Sequence, residues 1–328
     1  MSQVVVITGG SAGVGRACAV EFARQGAAVA VLARGEERLT AACAEIEQAG
    51  GRGLAISTDV ADPAQVEQAA EQVESELGPI DVWVNNAMTT IFSPLKEITP
   101  EEFRRATEVT YLGVVYGTMA ALKRMLPRNR GTIVQVGSAL AYRAIPLQSP
   151  YCGAKHAIRG FTDSLRSELI HDSSQVHVTM VQLPAMNTPQ FSWCRTRLPK
   201  HPQPVPPIFQ PEVAARGIVW AATHRRRELF VGRSAVWTIW LNKFLPGLGD
   251  RYLAKNAYDG QQTDQPVPND RPANLFEPVS GDFDAHGIFG DRATNSSGQL
   301  WLTTHRIKVI ATASILLGLI GAVLYSWS

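Results

Sequence analysis

The chain has 328 residues, 45% of them hydrophobic and 18% charged, and its 31 lysines and arginines against 29 acids leave a net charge of +2. This composition excludes a disordered or collagen-like chain, and it argues against nucleic-acid binding, which needs a concentrated positive field. The four cysteines, Cys18, Cys43, Cys152 and Cys194, form no Cys-x-x-Cys pair and the seven histidines no His-x-x-x-His pattern, so reduced thiols and no metal site are expected.

Strand and helix signals alternate over residues 1–232. Strands are predicted at Val4–Ile7, Ala28–Ala33, Gly53–Ser57, Ile80–Val84, Thr132–Val136, His177–Gln182 and Leu229–Val231. Helices are predicted between them at Gly13–Gln25, Glu36–Ala49, Pro63–Leu77, Glu102–Met125, Tyr151–His171 and Pro211–Thr223. Seven short apolar strands separated by helices predict an α/β fold, a doubly wound parallel sheet covered on both faces. The first strand signal begins at Gln3 with no charged, apolar leader before it, so no signal peptide is expected.

The chain then changes character. Residues 233–258 read as an aromatic-rich helical extension, with Val236, Trp237, Ile239, Trp240, Leu241, Phe244 and Leu245 ahead of Pro246-Gly247. It suits a lid over a pocket, a subunit contact or an interfacial membrane helix. Nearby, His224-Arg225-Arg226-Arg227 reads as a solvated turn or a contact for anionic lipid. Residues 259–300 carry seven acids and two arginines among many Pro, Gly and Asn, the composition of a flexible polar linker. In 301–328, the run Ile307–Trp327 holds one charge, Lys308. As a helix it would be about 31 Å long, enough for a hydrocarbon core of about 30 Å. The basic residues before it predict a single-pass C-terminal anchor with the catalytic domain in the cytoplasm.

The chemistry starts after the first strand, at Thr8-Gly9-Gly10-Ser11-Ala12-Gly13-Val14-Gly15. Glycines let backbone approach a pyrophosphate, and the helix start offers free N–H groups and a positive dipole end. The spacing Thr-Gly-x-x-x-Gly-x-Gly resembles the short-chain dehydrogenase/reductase family. Asp59-Val60 after the third strand and Asn85-Asn86-Ala87 after the fourth fall in that family's order, with Met88 replacing its usual glycine. The second strand ends at Ala33-Arg34 with no acid. An acid there would repel a 2′-phosphate, whereas a guanidinium suits one. NADP(H) is therefore expected over NAD(H).

Tyr151-Cys152-Gly153-Ala154-Lys155 opens a predicted helix. One turn apart, the two side chains share a face, and the ammonium is expected to lower the phenol's pKa toward a working range. Ser138 follows the fifth strand, thirteen residues before Tyr151. The resemblance implies a Rossmann fold over about residues 3–232 and hydride transfer between a nicotinamide and a carbonyl or alcohol. It implies that Ser138 holds the substrate oxygen, Tyr151 passes the proton, and Lys155 holds the nicotinamide ribose. It further implies cofactor contacts by Thr8, Gly9, Ser11, Gly13, Val14, Gly15, Asp59, Val60, Asn86, Ala87 and Thr188, and homo-oligomers.

Two departures stand out. Thr110 occupies the place of the family's helical asparagine, so a proton-relay water would have to be held by its hydroxyl. Pro184-Ala185 replaces the usual Pro-Gly after the sixth strand. Phe191, Trp193, Leu198 and the proline run through Pro207 suit a lipophilic substrate. An alternative reading, motivated by Thr110, is a catalytically weak NADP(H)-binding sensor or scaffold at a membrane.

Overall fold

The structure, a computed structural model, describes residues 2–306 and Val309. Strand β1, Val4–Thr8, reads Val-Val-Val-Ile-Thr and is buried at every position. β-Branched side chains are stiff and pack well on a pleated surface. They face inward on both sides here because helices cover both faces. Helix α1 (Gly13–Ala23) leads to β2 (Ala28–Ala33), α2 (Glu36–Gln48) to β3 (Arg52–Ser57), and α3 (Pro63–Glu76) to β4 (Val82–Asn85). Helix α3 starts sharply because Asp62 accepts from the backbone N–H groups of Ala64 and Gln65, with Pro63 in the first turn. Such a cap satisfies otherwise orphaned donors.

The second half contributes α4 (Pro100–Thr107), α5 (Gly113–Met125), β5 (Thr132–Ser138), α6 (Ser149–His171), β6 (His177–Leu183), α7 (Pro211–Thr223) and β7 (Glu228–Phe230). The seven strands lie in the order β3-β2-β1-β4-β5-β6-β7, all parallel. This is the doubly wound Rossmann-like sheet expected from the sequence. Ile7 registers with Val31 on one side and Val84 on the other. The chain reverses its direction of winding between β1 and β4, which leaves a crevice at the carboxyl ends of those strands, where such sheets bind ligands. Phe22, Leu39 and Ile218 fill the core on one face, and Val73, Trp83 and Met125 on the other. Each such side chain contributes about 1.5–3 kcal/mol on leaving water.

Two expectations need correction. The single helix predicted over Glu102–Met125 is broken: α4 and α5 are joined by a π-helical turn, Glu108–Leu112. Within it the Thr110 hydroxyl donates to the Thr89 carbonyl at 2.9 Å and accepts from the Thr89 N–H at 3.1 Å. The other correction concerns residues 259–300, expected to form a loose linker. Gln262–Pro266 pairs with Lys200–Pro202, Ala293–Thr294 pairs with Ile208–Phe209, and Leu275, Ala285 and Phe289 are buried. The few apolar side chains are spaced for a wandering chain to dock one at a time, a pattern with no helical or strand period.

The aromatic extension forms two helices, α8 (Arg233–Phe244) and α9 (Pro246–Gly260). A further helix, α10 (Gly298–Thr304), buries Leu300 beside Gly217 of α7. Among the described residues no helix is long and apolar enough to cross a membrane. Apart from Val309, the predicted span Ile307–Trp327 lies outside the described residues. All four cysteines are free, and Cys18, Cys152 and Cys194 are buried.

Candidate active site

The turn after β1 is held by its neighbours. The Thr8 hydroxyl accepts from the N–H groups of Asn86 (3.0 Å) and Ala87 (3.1 Å), and Asn86 Nδ2 donates to the carbonyls of Thr8 and Gly9, each at 3.1 Å. These bonds lock the turn after β1 to the turn after β4. Thr8 and Asn86 thus act first as fasteners, and their hydrogen-bonding groups are used within the protein. Gly9 sits at φ +65°, and a Cβ there would lie 2.8 Å from Ala87 Cα. A Cβ on Gly15 would lie 2.2 Å from the Gly9 carbonyl oxygen. The turn therefore requires these glycines for packing.

Ser11, Gly13 and Val14 line one cavity of about 600 Å³, a size ordinary for small-molecule sites. Helix α1 starts there without a side-chain cap, leaving N–H groups and a positive dipole end for an anion. Gly9, Arg34, Asp59, Val60, Asn86, Ala87, Thr188, Ser138, Tyr151 and Lys155 line the same cavity. Gly15, Thr8 and Thr110 are not part of its lining. Thr110 instead fixes the segment after β4 from behind, so its hydroxyl proton is committed to Thr89 and it stands as a positioning residue. That corrects the expectation of a water held through this hydroxyl's proton.

At the adenosine end, Arg34 donates to the carbonyls of Asn274 and Phe276, both at 2.5 Å. Asp59 accepts from the Ala61 N–H at 3.0 Å and pairs with Arg105. Burial, and then the neighbouring Arg105, hold the Arg34 guanidinium below its ordinary value. Arg38, one helical turn on, also lines the cavity, is only 7% exposed, and has an Nε with no partner. A buried, partly unpaired guanidinium cluster fits a phosphate group. Arg38 has a sequence signal of its own, a second arginine four residues after Arg34, in the first turn of the helix that starts at Glu36. Asn274 and Pro278 also line the cavity, and no sequence signal pointed to them.

At the reacting end, β5 carries Ser138 to the sheet edge, where it is 7% exposed and accepts from the Leu140 N–H at 3.1 Å. Helix α6 presents Tyr151 in its first turn and Lys155 one turn later. Lys155 Nζ donates to the Val136 carbonyl at 2.7 Å and lies 5.5 Å from the Tyr151 ring centroid. The expected lowering of the phenol's pKa by lysine is not what this geometry gives. Burial pushes Tyr151 up to about 12, against the opposing pull of its hydrogen bond with Ser138. Burial also brings Lys155 down to about 8. The ammonium is turned toward a carbonyl, so its influence on the phenol is weak here. Serine, phenol and ammonium nonetheless face one cavity, an arrangement able to hold an oxygen and exchange a proton with it.

The far wall comes from the chain beyond β6. Thr188 approaches the phosphate turn, because a Cβ on Gly13 would lie 3.3 Å from Thr188 Cβ. Phe191, Trp193 and Pro204–Pro207 line the cavity, while Leu198 belongs to a neighbouring buried cluster. Ser234, Ala235 and Thr238 of α8 and Tyr252 and Leu253 of α9 close it. The lid reading of the aromatic extension is therefore the one supported by packing. Its outer face leaves Trp237, Trp240 and Phe244 exposed. Arg143 ties the lid down through Asn242, Pro246 and Asp250. Among the described residues no cluster of metal-ligating side chains is found.

Comparison with known proteins agrees with this geometry. The family model described as short chain dehydrogenase matches residues 3–197. An uncharacterized oxidoreductase, YxnA, of Bacillus subtilis (strain 168) is 33% identical over 324 residues, 97% of this chain and 89% of that protein. A 3-dehydrosphinganine reductase of Danio rerio is 35% identical over 193 residues, 57% of this chain and 58% of the reductase. Among solved structures, an alcohol dehydrogenase from the archaeon Thermococcus sibiricus, complexed with 5-hydroxy-NADP, superposes with a TM-score of 0.61 at 29% identity. That likeness covers 70% of this chain and 96% of the other.

Proposed function

The chain belongs to the short-chain dehydrogenase family of oxidoreductases, and from that premise we propose an NADP(H)-preferring enzyme that interconverts a lipophilic carbonyl compound and its alcohol. The observation that carries the reading is the convergence of Ser138, Tyr151 and Lys155 on the cavity that runs beneath the glycine-rich turn. When bound, the nicotinamide supplies the hydride chemistry. The residues that would hold it are Ser11 and Val14 at the phosphates, Arg34 and Arg38 at the 2′-phosphate, and Lys155 and Thr188 toward the nicotinamide.

Ser138 orients the substrate oxygen. Tyr151, pushed up to about 12, is protonated at neutral pH, so it carries the proton that the reductive direction requires. In the oxidative direction it must first lose that proton, so positive charge on Lys155 favours its action there. The apolar wall at Phe191, Trp193 and the proline run excludes water and favours a lipophilic chain. The sphinganine-reductase relative supports the same substrate class. Arg143, Gln148 and Gln203 also line the cavity, with their donors bonded to the lid and its neighbours.

The proposal includes a membrane anchor at Ile307–Trp327, with the catalytic domain on the cytoplasmic side. Carbonate extraction checks it: the full chain should stay with the membrane, and deletion of residues 307–328 should release it. For activity, NADPH consumption is measured over ketones of increasing chain length. Turnover that rises with chain length and is lost in Tyr151→Phe, with cofactor affinity retained, supports the reading. Equal turnover with NADH would defeat the cofactor preference.

A further inference from the structure

The segment between α9 and α10 does more than connect them. Residues 271–289 run from the adenosine end of the cleft to the nicotinamide end, and they are tied to both rims. At the adenosine end, their carbonyls at Asn274 and Phe276 receive Arg34, and the Leu275 carbonyl receives Arg105 Nε at 3.2 Å. Leu275 is itself buried against Ile91 and Ala106. On the opposite rim, the Asn274 N–H donates to the Trp193 carbonyl at 2.9 Å, and Arg271 donates to the carbonyls of Phe191 and Ser192.

Midway, the Gly281 N–H donates to Glu37 at 2.9 Å, and Asp282 with Glu45 pairs the buried Arg16. Phe283 meets Trp193 edge to face at 4.7 Å, with the Arg38 guanidinium 5.0 Å from the Trp193 ring. The segment then passes over the phosphate turn, where the Gly13 N–H donates to the Asp284 carbonyl at 3.2 Å. At the nicotinamide end, the N–H groups of Gly287 and Phe289 donate to the Asn187 main-chain and side-chain oxygens. A Cβ on Gly287 would lie 2.5 Å from the Thr188 carbonyl oxygen, so the segment lies directly on that loop. The cavity continues beneath it, from Arg34 through Val14 to Tyr151.

We infer that residues 271–289 are a strap that closes the cofactor cleft from outside and holds Arg34 and Arg38 in place for a phosphate, so that the dinucleotide enters and leaves only when the strap lifts. The inference rests on the reading of this cavity as an NADP(H) site. Its logic is the geometry of the tethers. The strap joins the β2–α2 rim to the loop after β6, which are opposite sides of one crevice, and a bridge of this kind must break on one side before a long ligand can pass. It also turns the two Arg34 amino groups by main-chain carbonyls, which fixes the guanidinium plane without neutralising it.

The test uses the full chain in detergent. NADPH binding to the wild type, followed by nucleotide fluorescence, tests the cofactor reading alone. Stopped-flow displacement then measures release from Arg271→Ala and Asp282→Ala, neither of which lines the cavity. The strap predicts release about tenfold or more faster in both, with faster association, since each removes tethers worth roughly a factor of ten. It further predicts that bound NADP+ slows chymotryptic cleavage after the exposed Phe276 in the wild type, a readout independent of any substitution. Release and association rates equal to wild type in both variants, or cleavage after Phe276 unaffected by NADP+, would overturn it.

Discussion

The glycine-rich turn after β1 and the segment 271–289 are two walls of one cleft, built by opposite means. The first is made of residues adjacent in sequence, and its bonds run between two strand ends brought together by the parallel sheet. Its glycines are there because side chains would collide with backbone at Gly9 and Ala87. The second comes from residues more than two hundred positions away and holds on through scattered carbonyls, one arginine at a time. Chemistry confined to a strand end leaves a pattern in the chain. Closure by main-chain groups leaves none, because any residue supplies a carbonyl.

The sharpest way to break that comparison is at the turn's far end, where the chemistry sits. Tyr151→Phe should reduce turnover by about 10²–10⁴-fold, the usual worth of a positioned acid or base, while NADPH affinity holds. A smaller loss would move the proton role elsewhere. Gly15→Ala should destabilise the fold by about 3 kcal/mol, since its Cβ has no space and the backbone it meets cannot yield. Urea unfolding measures this, and a neutral result would mean that the turn is looser than drawn. Arg34→Ala should weaken NADPH binding about 10–100-fold, the range of a charge-assisted bond, and leave NADH nearly unchanged. Equal losses for both would assign Arg34 to the strap alone.

Stability against pH gives a further, smaller effect. Lys155 is brought from 10.5 down to about 8 in the folded protein, so between those values the unfolded chain binds more protons. Stability from this group therefore rises with pH from about 8 toward 10.5, until Tyr151, raised from 10 to about 12, begins to oppose it above about 10. The gain should be about 2 kcal/mol and should be missing in Lys155→Met. Smallest is Thr110→Val, which strands a buried carbonyl and N–H at Thr89 and should cost about 1 kcal/mol. Thr110→Ser should restore most of it. A turnover loss in the valine variant larger than its stability loss would mark Thr110 as a positioning residue for catalysis as well as for the fold.

Much of the fold was legible because strand signals are local. Val4–Thr8 and Ala28–Ala33 announce themselves by β-branched and small apolar runs between turns. Ser138, Tyr151 and Lys155 were legible because strand ends and helix starts carry them to one edge. The π-turn at Thr110 was hidden: it is accompanied by a pair of bonds to Thr89, 21 residues away, while the helical period continues through it. The effect of Lys155 on Tyr151 was misjudged for a related reason. Spacing places two residues on one face but does not say that the ammonium will choose the Val136 carbonyl. The strap was misread because proline, glycine and acids describe a soluble loop equally well whether it floats or docks.

The buried thiols have a practical consequence. Burial raises the pKa of Cys18, Cys152 and Cys194, and also that of the half-covered Cys43. Thiolate, not thiol, is the reactive species, so alkylating reagents at neutral pH should find little to attack while the chain is folded. Maleimide uptake then becomes a built-in clock for opening. Cys194 is approached by Arg271, and Cys152 follows Tyr151 on α6 with its thiol toward the Ile145 carbonyl, so the order in which these sulfurs are tagged would tell which wall of the cleft gives way first.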